Sequence, residues 1–416
     1  MTTPSETGVP ARRAALQLLD AVLRRGQPLE RALTAATKGL DNPADRALAH
    51  AIASEVLRRT PDLDDLIDSA TRQRLPDDAK ARMVLRMALA QALVLNTPPH
   101  AAISTALPLV EGGPKRLVHG VFGSLMRSGV KLRSAPMLLP AVEQRWGDAW
   151  GATMIGHAVH ALTAQPPIDL TLKDYSQTAH WAAALGGESL APGHVRVGRD
   201  RPIPSLPGFD EGAWWVQNIA ASIPARLLGN GEGRAALDLC AAPGGKTMQL
   251  AAQGWDVTAV ERDGSRLARV TENLTRTGLS AKLIEADVLR WKADQAYAAI
   301  LLDAPCSATG IFANHPDVLH RVRPKDIVAL VDVQMRMFEA AAGWLAPDGV
   351  MIYATCSLEP QEGEEVAARC ESVGLKIDPV TPQDLVADIK PTPKGWVRIL
   401  PKLGIDGFFV ARFKRR

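Results

Sequence analysis

Cysteine is scarce in this chain: four in 416 residues, Cys240, Cys306, Cys356 and Cys370, with no CxxC pair among them. That spacing leaves no Cys/His cluster of zinc geometry and no basis for a disulfide framework in a chain of this length. Tyrosine numbers three and phenylalanine seven, so nine tryptophans must carry much of the aromatic packing. No apolar run reaches the roughly 18 residues that a membrane span needs. Met1 to Pro10 is polar and lacks the basic-then-apolar order of a signal peptide. The expectation is a soluble, cytoplasmic protein that takes no metal and lies in no membrane, with a frayed first ten residues.

What is present is ordinary in bulk and uneven in distribution. The hydrophobic fraction of 46% and charged fraction of 22% suit a globular chain, one too long for a single core. Residues 1–140 carry 19 Lys and Arg against 13 Asp and Glu, while the rest carries 29 against 32, so the net charge of +3 conceals a basic front. A moderate excess of this kind suits a phosphate-bearing partner without requiring one.

Periodicity divides the chain into three spans. Residues 1–135 read as an all-α domain: Ala14, Leu18, Val22 and Leu29, then Leu48, Ile52, Val56 and Leu63, recur at helical spacing. Pro61, Pro76 and the Pro98-Pro99 pair fall between such runs. Residues 136–225 are punctuated by proline and alternate like short strands at Ile168–Leu172 and His194–Val197, which suggests a small mixed α+β bridging subdomain. Residues 226–416 alternate strand and helix, the pattern of a doubly wound, Rossmann-like α/β domain with a parallel sheet. Such a sheet binds ligands beyond the carboxyl ends of its strands, where the polar features of this chain cluster.

The first of these follows the strand Ala236–Leu239: Cys240, Ala241, Ala242, Pro243, Gly244, Gly245 and Lys246, then Thr247. Its Gly-Lys-Thr ending invites a P-loop reading, but that motif needs glycine at position 240 and finds cysteine; the dinucleotide fingerprint also fails to match. What remains is a glycine turn opening a helix, with Glu261 at the end of the next strand, where an acid accepts from ribose hydroxyls. S-adenosyl-L-methionine fits both features.

The second cluster is a pair of blocks at two strand ends, Asp303-Ala-Pro-Cys306-Ser and Ala354-Thr-Cys356-Ser. An isolated cysteine is most often a small buried hydrophobe. Two at neighbouring strand ends, each followed by serine, favour chemistry. Cytosine C5 is a poor nucleophile until a thiolate adds at C6 and makes the ring an enamine that accepts a methyl group. A base then removes the C5 proton and the thiol departs. A cation such as Lys246 would raise the thiolate share, and Asp303 is suited to hold N3 of the base. The base must leave any stack to be reached.

Together the blocks Leu237–Thr247, Leu302–Gly310, His315-Pro-Asp317, Tyr353–Leu358 and Asp406–Phe409 resemble the RsmB/Fmu (Sun) group of the NOP2/NSUN family of RNA cytosine-C5 methyltransferases. The front half is similar to the NusB-like RNA-binding domain of that group. The resemblance implies that Cys356 is the nucleophile and that Cys306 assists product release. It implies too that residues 240–246 line the cofactor, that Glu261 holds its ribose, that Asp287 approaches its adenine, and that Asp303 lies near cofactor and base. It also implies an RNA substrate, small-subunit (16S) ribosomal RNA in this branch. The chain departs from the family at Ile168–Asp174, where an Arg-Val-Asn stretch is usual, and at Ala313-Asn314, where Arg-Arg is common.

Other features read as structural: Cys370 as core, His315 as a loop-fixing residue, most tryptophans as packing, the Lys414-Arg-Arg416 end as a solvated tail. With no pairing element visible, a monomer is expected. Two alternatives stay open: the same chemistry on tRNA, or a catalytically silent NusB-like RNA-binding or assembly factor.

Overall fold

A computed structural model describes residues 8–402 and 404–416, which form two compact units. The first holds residues up to Ala164 together with Phe312–Val322; the second holds Gln165–Ile311 and Arg323–Arg416. Residues 1–7 of the expected frayed start lie outside the described residues, and from Val9 the chain is already helical.

Up to Ala164 the described residues of the first unit form eight α-helices: α1 (Val9–Leu23), α2 (Leu29–Ala36), α3 (Pro43–Ser69), α4 (Lys80–Leu93), α5 (Pro99–Ala106), α6 (Gly112–Arg127), α7 (Pro140–Trp150) and α8 (Ala152–Ala161). The last two extend this helical unit beyond residue 135. Its core is aliphatic, built on Leu18, Leu19, Ile52, Val56, Leu85 and Leu89, as the helical spacing requires. A buried charge network joins α3 to α4. Fully buried Arg82 donates to Leu75 O, Asp64 Oδ1 (3.0 Å) and Asp68 Oδ1 (2.5 Å), and Arg86 grips both oxygens of Asp64 at 2.7 Å.

The second unit begins with a three-stranded antiparallel sheet in the order β2-β1-β3. Its strands are β1 (Ile168–Leu172), β2 (His194–Val197) and β3 (Trp214–Val216), with α9 (Thr178–Leu185) after the first. After α10 (Ile219–Arg226) comes the main sheet: β4 (Ala235–Leu239), α11 (Gly245–Ala252), β5 (Asp256–Glu261), α12 (Gly264–Thr277), β6 (Lys282–Glu285) and β7 (Tyr297–Asp303). The chain then passes through Phe312–Val322 with α13 (Val318–Arg321), and continues with α14 (Pro324–Trp344) and β8 (Leu345–Thr355). The remaining elements are α15 (Glu364–Ala367), β9 (Leu375–Ile377), β10 (Val397–Ile399) and β11 (Phe408–Arg415). Strands β6-β5-β4-β7-β8 are parallel. Beyond β8 the sheet departs from the all-parallel expectation, because β11 pairs antiparallel with it and β9 and β10 pair antiparallel with β11.

Asp169 anchors the small sheet. Fully buried, its carboxylate takes both Arg196 donors (2.7 and 3.1 Å) and the backbone N–H of Ile219 (3.0 Å). Lys173, within the stretch where the chain departs from the family, is structural. Its Nζ donates to Thr277 O at the end of α12, at 2.6 Å.

Pro61 does not end a helix as expected; α3 runs through it. A proline has no N–H for the carbonyl four residues back, here Leu57 O. That carbonyl is satisfied instead by His320 Nε2–H from α13, at 2.7 Å. Burial pushes the His320 pKa down, which keeps the ring neutral. The same segment is held by Arg58 Nη2 on Ala313 O (3.0 Å), and by Asp317, which accepts from Leu29 N (3.3 Å) and Arg321 Nε (3.0 Å).

Candidate active site

Three consecutive parallel strands bring the nucleotide-loop residues together. Beyond β4 the chain turns through Cys240 (φ 63°) and Gly244 (φ 101°) before α11 begins at Gly245. At Gly244 the left-handed backbone favours glycine, and an added Cβ would press within 3.1 Å of Val270. Glu261 closes β5, buried, accepting from Asp263 N (3.1 Å) and Ala242 N (3.4 Å). Arg266 reaches back to Glu261 at 3.3 Å and donates to Ala242 O at 2.8 Å. Asp287 follows β6, where its Oδ1 caps the turn by accepting from Leu289 N at 3.0 Å. The loop, Glu261 and Asp287 thus sit at the carboxyl ends of β4, β5 and β6.

Beneath the loop lies Asp238, fully buried in β4. Burial lifts its pKa to about 7, against the Thr247 hydroxyl that donates to Oδ2 at 2.6 Å and the nearby Lys246 charge. Its Oδ1 has no hydrogen-bond partner among the described residues. Cys240 is driven to a pKa far above that of a free thiol by burial and by the carboxylates of Glu261, Asp303 and Asp238, which disqualifies it as a nucleophile.

The other two cysteines meet because β7 and β8 are parallel neighbours, with Asp303 opposite Ala354. Their Sγ atoms lie 3.5 Å apart. Beside them Lys246 Nζ contacts Asp303 Oδ2 at 2.7 Å and sits 5.4 Å from the Phe408 ring centre. Burial alone would lower the Lys246 pKa, but the Asp303 carboxylate, with Asp238 and Cys356 adding, raises it, so the ammonium persists. Cys306 is pushed well up by its contact with Cys356, then by burial, then by the charges of Cys356 and Glu362. It rests as a thiol.

Backbone contacts tie the sequence blocks to one another. Gly310 N donates to Cys356 O (2.9 Å), and Gly407 N donates to Gly310 O (2.8 Å). A Cβ at Gly310 would stand 2.0 Å from Gly407 O, so only glycine fits.

One residue escaped the sequence reading. Glu362, fully buried, accepts from Ser307 N (2.9 Å), the Ser307 hydroxyl, the Ser357 hydroxyl (2.5 Å) and Gln334 Nε2 (3.0 Å). The serines after the two cysteines are therefore its ligands. The available signal was their repetition in both blocks. His315 belongs to the helical unit, in the segment Phe312–Val322. Cys370 is buried in the core, as expected.

Comparison with known proteins places the chain in a family. Residues 225–414 match the family model "16S rRNA methyltransferase RsmB/F", and residues 9–121 match the NusB family. The chain is 31% identical to ribosomal RNA small subunit methyltransferase B of Klebsiella pneumoniae, over 97% of this chain and 98% of that one. The chain belongs to the RsmB/F methyltransferase family. Against the Xylella fastidiosa protein of the same name, identity is 32% over 96% and 98% of the two chains. In fold, the crystal structure of PH0851 superposes with a TM-score of 0.74 at 20% identity, covering all of both chains. This RsmB/F chain thus joins a NusB domain to a Rossmann-like methyltransferase domain. Among the described residues no helix is long and apolar enough to cross a membrane.

Proposed function

We propose that this RsmB/F-family chain methylates C5 of a cytosine in RNA, small-subunit ribosomal RNA before others, through a covalent bond between Cys356 Sγ and C6. The observation that carries the proposal is the pair of thiols 3.5 Å apart at adjacent strand ends, beside the 2.7 Å Lys246–Asp303 ion pair. Few structural roles need two free thiols and a buried cation in one crevice.

The residues present fit S-adenosyl-L-methionine. Buried Glu261 would offer its carboxylate to ribose hydroxyls, Gly244 opens the turn, Asp287 after the next strand would take the adenine side, and Asp238 Oδ1 is left without a partner among the described residues beneath the loop. When bound, that cofactor supplies an electrophilic methyl group to C5. The chain does the rest. Lys246 holds its positive charge where it interacts with Cys356, the attacking sulfur. Asp303, held by Lys246, accepts from or shares a proton with N3 as charge builds in the ring. Once a base has taken the C5 proton, Cys306, kept protonated, can give its proton to Cys356 Sγ as the C6–S bond breaks and the product is freed. The basic NusB domain is the natural element to hold the RNA, in the cytoplasm and as a monomer.

The test is transfer of labelled methyl from S-adenosyl-L-methionine to unmodified small-subunit RNA. Label should appear in 5-methylcytosine and vanish with Cys356→Ala while cofactor binding persists. Equal activity in that variant would sink the assignment. Label on tRNA alone would move the substrate, and absent cofactor binding would favour a silent assembly factor.

A further inference from the structure

We infer that Glu362 is a positioning residue of this site: one buried carboxylate holds the two turns that carry the thiols and so sets the distance between Cys306 and Cys356. The inference rests on the proposed thiol chemistry and adds a residue to it.

Three chain segments converge on this side chain. From the turn after β7 come the Ser307 N–H (2.9 Å) and the Ser307 hydroxyl; from the turn after β8 comes the Ser357 hydroxyl (2.5 Å); from α14 comes Gln334 Nε2 (3.0 Å). Each serine is the residue directly after a cysteine, so fixing the serines fixes the Cα–Cβ directions of both thiols. The hydroxyls also lie 3.1 Å apart, and Ser357 Oγ accepts from Glu359 N at 3.0 Å, which leaves little freedom to either turn. Glu362 is itself held, because Tyr353 Oη donates to its carbonyl at 2.6 Å.

The chemistry explains why a charged acceptor is used. Four donors on one group need an acceptor with several lone pairs and no N–H or O–H of its own, which an ionised carboxyl provides and an amide does not. A buried carboxylate is costly to desolvate, and its pKa is raised by that burial against the four hydrogen bonds. The same charge adds, after the contact with Cys356 and burial, to what keeps Cys306 protonated. Its charge acts on Cys306 while that of Lys246 interacts with Cys356, so two chemically identical groups are made unlike.

Glu362→Gln tests this in the full chain. The amide keeps the size but sets an NH2 against one set of donors. Methyl transfer at saturating substrates should fall roughly tenfold to a hundredfold, as misplacement of reacting groups does, while KM for both substrates stays within about threefold. A role confined to stability would lower the melting temperature without this split. A second readout needs no RNA: with oxidised glutathione, the wild-type thiols should close to a Cys306–Cys356 disulfide, and the variant should do so at least about fivefold more slowly. Wild-type transfer and wild-type closure in Glu362→Gln would overturn the inference. Absence of transfer by the wild-type chain, with closure still slowed by the variant, would count against the proposed reaction and leave the positioning role standing. Should Glu362→Gln fail to fold, Ser307→Ala and Ser357→Ala decide: slowed closure in either supports the inference, and unchanged closure in both overturns it.

Discussion

Replacing Lys246 by methionine tests the electrostatic core of the site. The side chain keeps an unbranched apolar stem but loses the ammonium 2.7 Å from Asp303. Removing one partner of a buried ion pair costs about 3–5 kcal/mol, because the other charge is stranded. Here Asp303 keeps 28% of its side-chain surface in solvent, so hydration recovers part of this and about 2 kcal/mol is expected. For a unit of this size that is a fall of roughly 4–8 °C in Tm. The catalytic loss should be larger than stability explains: roughly 10²–10³-fold, the usual consequence of removing a preorganised charge. The double variant Lys246→Met, Asp303→Asn separates the two effects. With no charge stranded, it should regain most of the lost Tm and none of the lost methyl transfer. Calorimetry and the labelled-methyl assay on the same preparations supply both numbers. A single variant with wild-type transfer, or a double variant less stable than either single one, would refute the reasoning.

Cys306→Ala should still form the bond to RNA and then stall, leaving a protein–RNA adduct that survives denaturation; free turnover without adduct would remove Cys306 from product release. Asp238 carries a pH signature. Its native pKa of about 7 stands above the ordinary 3.8, so between these values the folded chain holds a proton that the unfolded chain has lost. Stability therefore falls as pH rises from about 4 to about 7, by about 4 kcal/mol for this group, and is flat above. Asp238→Asn should remove that decline, gaining on the wild type across the interval in urea titrations. A constant difference between the two proteins from pH 4 to 7 would show that Asp238 is ionised throughout.

Much of the fold and of the proposed site is legible in the sequence, and the parts that are not share a cause. Helices α1–α6 and strands β4 to β8 announce themselves by local periodicity, since each needs one buried face or a buried run. The loop at 240–246, Glu261, Asp303 and the two thiols stand out because their positions at strand ends make chemical sense together. Strands β9, β10 and β11 have no such local mark: what makes them an antiparallel edge is the partner each finds, β8 for β11 and β11 for the other two. Pro61 was a fair reason to end a helix, and it failed because a histidine 259 positions later supplies the donor that proline lacks. Glu362 is the clearest case. It lies five residues from Ser357, yet its other serine is 55 residues away. By composition it is one more glutamate of a type that almost always faces water. A residue that reacts can be recognised by its chemistry and spacing. One that only holds reacting groups in place carries no chemical signature of its own, and its function exists only in the fold that brings its ligands to it.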